Sequence, residues 1–219
     1  MRQRDKAILN DLQRFRVMSR DDIADIHFAG LNNAIGNCNA VLKRLYRDKL
    51  IERTADMLPY LYFPIDGAIK KDSAKLRHFL EIVRVYRDMR KYAEPSAFTV
   101  EAKYGKGLAE PDIFAIWRGS PLFIEVQRSQ YSDKVMAEKI ARYEALRDSN
   151  IIAKEPWQPK GRAPIFPAIL ILTPTRYAIS SNLTIMQAPS IADFLSQVKI
   201  ETPQPVKQPS NGGIKIRLS

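Results

Sequence analysis

The sequence of 219 residues contains one cysteine and two histidines. Cys38 alone excludes an intrachain disulfide, and with only His27 and His78 beside it a Cys/His zinc site lacks its ligand set. No stretch approaches the roughly 20 consecutive apolar residues of a membrane span. The opening Met1-Arg2-Gln3-Arg4-Asp5-Lys6 has no apolar signal core. These absences point to a reducing cytoplasm and to no membrane partner. No internal repeat is present. Acidic residues are the minority sign, 24 Asp and Glu against 35 Lys and Arg, for a formal net charge of +11. The deficit is uneven: residues 93–150 are slightly acidic, and the segments on either side are basic. A nucleic-acid-binding protein with a metal pocket at its centre has this distribution; a generally basic soluble protein is the plain alternative.

The first part of the chain predicts three helices and a hairpin. Ile8, Leu9, Leu12 and Phe15 recur at helical spacing over residues 4–17. Ser19 caps a short second helix, with Asp22 answering its backbone N–H, and that helix ends near Gly30. Asn32 or Asn33 caps a third helix reaching about Lys49, with Ile35, Cys38, Leu42, Leu45 and Tyr46 as its buried stripe. Two β-prone runs, 50–54 and 60–63, then flank a turn. Three helices and a hairpin is the order of a winged helix. Asn37, Asn39, Lys43, Arg44 and Arg47 on the third helix and Arg53 in the hairpin are its candidate DNA contacts. A small helical domain with a solvated basic face is the plain alternative.

Residues 65–74 read as a polar linker. A helix over about 75–92 follows, in which Glu81 pairs with neighbouring arginines, then a strand at 98–102. The centre of the chain is 111–127, two apolar runs joined by Gly119-Ser120-Pro121. Strand periodicity places Glu125 and Gln127 on one face, and a tight hairpin brings Asp112 near Glu125. Two carboxylates in an apolar sheet call for a neutralising cation, and a divalent metal with oxygen ligands serves where they have a chemical task. A helix over 132–147 and a strand at 168–172 complete a β-α-β order, so the last strand runs parallel to a neighbour. The loop over 154–164 holds Trp157, either stacked on a base or covering the core edge. A capped helix starts at Ser190, and residues 201–219 read as a flexible basic tail.

This order, with Pro111-Asp112 and Glu125-Val126-Gln127, resembles the PD-(D/E)xK nuclease core with glutamine in place of lysine. The helices in front, with Glu125-Val126-Gln127-Arg128 and Lys139-Ile140-Ala141-Arg142-Tyr143, resemble the replication-relaxation family of bacterial plasmids and mobile elements. The resemblance covers about residues 5–200. It implies an α/β (α+β) chain: a winged helix over 1–64, then a PD-(D/E)xK-like α/β sandwich with a mixed central sheet over 75–200. Asp112 and Glu125 would hold Mg2+ or Mn2+, Gln127 would orient water, and Lys139 would restore the missing positive charge, giving a metal-dependent DNA endonuclease or nickase. The alternative is a non-catalytic DNA-binding accessory or regulator with a vestigial site. The implied partners are double-stranded DNA and replication or mobilisation proteins. A homodimer is compatible with the chain, although no apolar helix face demands one.

Overall fold

The computed structural model describes residues 1–54, 58–67 and 75–198. Residues 68–74 of the expected linker and the whole of the expected tail lie outside the described residues. The chain is a mixed α/β structure: N-terminal helices with a small antiparallel sheet, then a five-stranded mixed sheet with flanking helices.

Helix α1 (Gln3–Phe15) buries Ile8, Leu12 and Phe15 of the expected stripe, and Leu9 is partly buried beside them. Strand β1 (Met18–Ser19) leads into α2 (Arg20–His27). Ser19 Oγ accepts from the Asp22 N–H at 3.1 Å, and Asp22 accepts from the Ser19 N–H at 2.9 Å, so two orphan donors of the helix start are satisfied reciprocally. Asn33 caps α3 (Ala34–Arg47), accepting from the Gly36 N–H. Cys38, Leu42 and Leu45 face the core, but Ile35 and Tyr46 are 42% and 44% exposed. Both expectations are corrected. Ile35 lies in the first turn of α3, and Tyr46 is about 100° round from Leu45 on the helix wheel. Strands β2 (Ile51–Arg53) and β3 (Leu61–Pro64) pair antiparallel, and β1 joins the far side of β3.

Helix α4 (Leu76–Arg90) lies between this unit and the large sheet. It buries more than one stripe: Ile82 and Val85 are covered as well as Phe79, Val83 and Met89. Phe15 of α1 packs 5.2 Å from Tyr86 of α4 and 5.8 Å from Phe98 of β4 (Ala97–Val100). Arg87 reaches back from α4 to Asp22 and Asp25 of α2, both at 2.7 Å. A single apolar core therefore runs from α1 through α4 into one face of the sheet.

The large sheet has the order β4-β5-β6-β7-β8. Strands β5 (Ile113–Trp117) and β6 (Ser120–Val126) form the expected hairpin, with Gly119 at φ +80° in the turn, where the absence of Cβ removes the strain. Helix α5 (Asp133–Asp148) crosses over, and β7 (Ala168–Leu172) pairs parallel with β6, as the β-α-β order predicts. Strand β8 (Ile185–Ala188), which periodicity did not suggest, continues the parallel part. Ser190 caps α6 (Ile191–Gln197). Alternation along the strands sends Ile124, Leu170 and Leu172 towards α4, and Phe123, Ile169 and Ile171 towards α5. Trp157 covers this second core, 5.3 Å from the Phe114 ring. No helix among the described residues is long and apolar enough to cross a membrane.

Candidate functional site

Hairpin register builds the first site. Ile113 pairs with Ile124, so Asp112, one residue before β5, stands opposite Glu125 near the end of β6. Asp112 is half-buried and Glu125 is only 2% exposed. Neither carboxylate is left bare. Lys139 Nζ of α5 lies 2.5 Å from Glu125 Oε2, and Tyr143 Oη, one turn on, donates to Glu125 Oε1 at 2.5 Å. Asp112 Oδ2 accepts the Val126 N–H at 2.8 Å, and His78 Nε2 of α4 lies 3.1 Å from Oδ1. Lys139 and Tyr143 can act together because residues four apart share a helix face.

The two carboxyls are pushed in opposite directions. Burial drives the Glu125 carboxyl up to about 7, with Asp112 adding to the rise and Lys139 and Tyr143 opposing it. Burial also works against the charge on Asp112, but the His78 hydrogen bond and charge, with Lys139 and the Val126 N–H, outweigh it and hold Asp112 below the ordinary carboxylate range. Lys139 is raised, its loss of water outweighed by Glu125. The environment thus favours the charged form of Asp112, and burial favours the protonated form of Glu125.

Of the residues expected here, the structure brings together Asp112, Glu125 and Lys139. Gln127 goes elsewhere. It lies past the end of β6, its backbone N–H bonded to the Leu172 carbonyl, and its Nε2 donates to Tyr177 Oη at 2.6 Å. Tyr177 Oη also accepts the Tyr131 N–H, so Gln127 helps to tie down the segment after the strand. His78, Tyr143 and Tyr177 were missed as site residues. The four-residue spacing of Lys139 and Tyr143 is a sequence signal for one of them; His78 has none, because its partner is 34 residues away. Glu81 makes the expected local pair, 3.6 Å from Arg84.

Two carboxylates are the kind of donor that holds Mg2+, with water and substrate phosphate completing the shell, but all four oxygens here already have partners in His78, the Val126 N–H, Lys139 and Tyr143, so a cation would have to share or displace them. No group of three His, Cys, Asp or Glu among the described residues forms a ready-made cage.

His78 gives a direct test of the Asp112 end. Its pKa is raised by the Asp112 hydrogen bond against the effect of burial. The stability it contributes is thus complete below its ordinary value of 6.5 and is lost as pH rises through the raised value. The lowered Asp112 sets the acid limit, since its contribution is lost as pH falls through a value below 3.8. His78→Gln is expected to lower stability by about 1–2 kcal/mol at about pH 5.5 and by much less at about pH 8.5. Urea unfolding at both pH values measures this, and an equal loss at both would remove the charged His78–Asp112 pair.

The second site is a groove between α3 and the β2–β3 hairpin. Among the described residues it is lined by Asn39, Lys43, Arg44, Arg47 and Arg53, together with three tyrosines and no carboxylate. Asn37, Asn39, Lys43 and Arg47 are exposed on α3, as expected. Arg44 is different: its guanidinium reaches Asp5 of α1 at 2.8 Å, and Asp5 is 1% exposed, so Arg44 neutralises a buried acid. Arg53 lies over the rings of Tyr46 and Tyr60, 4.7 and 4.5 Å from their centroids.

In comparisons with known proteins, no family model matches the chain, and neither does any curated protein or solved structure.

Proposed function

We propose that the chain is a cytoplasmic DNA-binding protein of plasmid or mobile-element replication or mobilisation, in which a winged helix holds duplex DNA and a PD-(D/E)xK-like domain acts on a phosphodiester. The observation that carries the reading is the cluster of Asp112, Glu125 and Lys139 at one end of a strand hairpin. Lys139 supplies from α5 the ammonium that Gln127 cannot. The groove on α3, with no acid among its described lining residues, gives the same chain a surface suited to a polyanion. The resemblance to the replication-relaxation family, over about residues 5–200, supports the same reading, with replication or mobilisation proteins as further partners.

In this reading Asp112 and Glu125 would hold Mg2+ or Mn2+, which when bound stabilises phosphate charge and lowers the pKa of an attacking water. Glu125 would be held as the carboxylate by such an ion, Tyr143 fixes its orientation, and Lys139 keeps a positive charge beside it. His78 and the Val126 N–H hold Asp112 in place as an anion.

One observation favours a second reading, a DNA-binding accessory or regulator that does not cut. Lys139 and His78 already neutralise both carboxylates, so the cluster is electrostatically complete as a structural element. Supercoiled plasmid incubated with Mg2+ or Mn2+ separates the two. Metal-dependent nicking or linearisation that falls at least about a hundredfold in Glu125→Ala is the expected result. Binding without cutting, equal in both proteins, would remove the nuclease and leave the DNA-binding protein.

A further inference from the structure

The groove on α3 holds fewer available cations than its composition suggests. Arg44 is paired with Asp5, Arg20 with Asp21 at 2.7 Å, and Arg47 with Asp48 at 2.9 Å. Among the described residues, Lys43 and Arg53 line the groove with no carboxylate partner. The two differ. Lys43 is an exposed lysine on a flexible stem, whereas the Arg53 guanidinium lies against two aromatic rings. A guanidinium stacked this way gains cation–π attraction; the Tyr62 hydroxyl takes one of its donors, and the others of its five N–H groups lie in the plane of the fork. A planar fork of donors matches two oxygens of one phosphate. Tyr46, on the outer side of α3, has no core to fill; its ring position is explained by Arg53.

We infer that this groove takes the phosphodiester backbone of duplex DNA, with Arg53 gripping a phosphate and with Tyr46 and Tyr60 as the positioning residues that hold it. The inference rests on the DNA-binding reading above and goes further by naming the contact and what orients it. Charge complementarity selects the occupant: among the described residues the lining brings Lys43 and Arg53 without a carboxylate partner, tyrosine hydroxyls and no acid. A phosphate contact carries no sequence information, so Arg53 sets affinity and register, and base discrimination belongs to other residues of α3.

The test uses the full chain, two fluorescein-labelled duplexes of unrelated sequence, and anisotropy titrations over a range of salt concentrations. Arg53→Ala is expected to weaken binding about tenfold on both duplexes and to make the slope of log K against log salt shallower by about one. Arg53→Lys keeps the charge but cannot fill the stacked fork, and is expected to lose nearly as much affinity. Tyr46→Leu and Tyr60→Leu change no charge, so affinity falls while the salt slope holds, an outcome that simple loss of a cation does not produce. Melting curves check each variant; if Tyr60→Leu melts early, Tyr46→Leu carries the test, because Tyr46 is 44% exposed. Wild-type binding by Arg53→Lys and Tyr46→Leu, in a protein that Lys43→Ala weakens, would overturn this inference and leave the DNA-binding reading intact. So would a loss in Arg53→Ala confined to one duplex with an unchanged slope, which marks a base contact. If the wild type binds neither duplex at low salt, the DNA-binding reading falls and this inference with it.

Discussion

Replacing Lys139 by methionine is expected to lower folding stability by about 3 kcal/mol at about pH 8 and by clearly less at about pH 6. Glu125 is almost fully buried, and both of its oxygens are engaged, one by Lys139 and one by Tyr143. Methionine removes the cation and keeps the length of the side chain. The folded protein must then bury an unpaired carboxylate or protonate it. In the unfolded chain Glu125 ionises near 4.5; in the fold, with Lys139 present, it is already raised to about 7, and removing a group that lowers it raises it further. Over that interval the folded state binds more protons than the unfolded state, so stability falls as pH rises. Below it the carboxyl is neutral and the penalty is small. Urea unfolding at the two pH values measures the difference. Lys139→Met/Glu125→Leu should recover most of the loss, because replacing both partners by apolar groups leaves no buried charge. An equal loss for Lys139→Met at both pH values would mean that the lysine contributes packing only.

Phe15→Ala is expected to cost about 3–5 kcal/mol and to leave one unfolding transition, not two. Phe15 is fully buried and belongs by sequence to the N-terminal unit, yet its ring packs on Tyr86 of α4 and Phe98 of the large sheet. The Arg14 guanidinium covers the same three rings. A cavity here loosens the contact of α1 with α4 and β4 together. Far-UV circular dichroism and tryptophan fluorescence should follow one curve in urea. Trp117 and Trp157 are both in the sheet half, so their fluorescence reports that half alone, while the helix signal reports both halves, α1–α3 supplying roughly half of it. Separate midpoints would show that the two halves unfold independently, and the continuous core would then carry little energy across the junction.

Much of this architecture was legible because it is decided locally. Ser19 with Asp22 and Asn33 with Gly36 satisfy helix N-termini within four residues of chain, so the caps can be read without knowing what lies nearby. The central hairpin is also local: a glycine turn between two apolar runs fixes the register, and the register alone sets Asp112 opposite Glu125. Strand β8 was missed because its four residues carry a weak apolar pattern and gain their place by pairing with β7. Tyr46 was placed on the buried stripe of the third helix, but its ring found a cation on the neighbouring hairpin instead.

The sequence by itself determined the caps, the hairpin, the β-α-β order and the excess of positive charge, each a matter of short-range spacing or composition. Tertiary structure decided which charges are available. Arg44 is spent on Asp5 across 39 residues, His78 holds Asp112 across 34, and Lys139 meets Glu125 only because α5 crosses over the sheet at that point. It also decided that Gln127, two residues from Glu125, turns to Tyr177. The physical reason is common to all four. A buried or half-buried polar group must find a partner wherever the packing of whole elements places one, and that distance is not written in the local pattern.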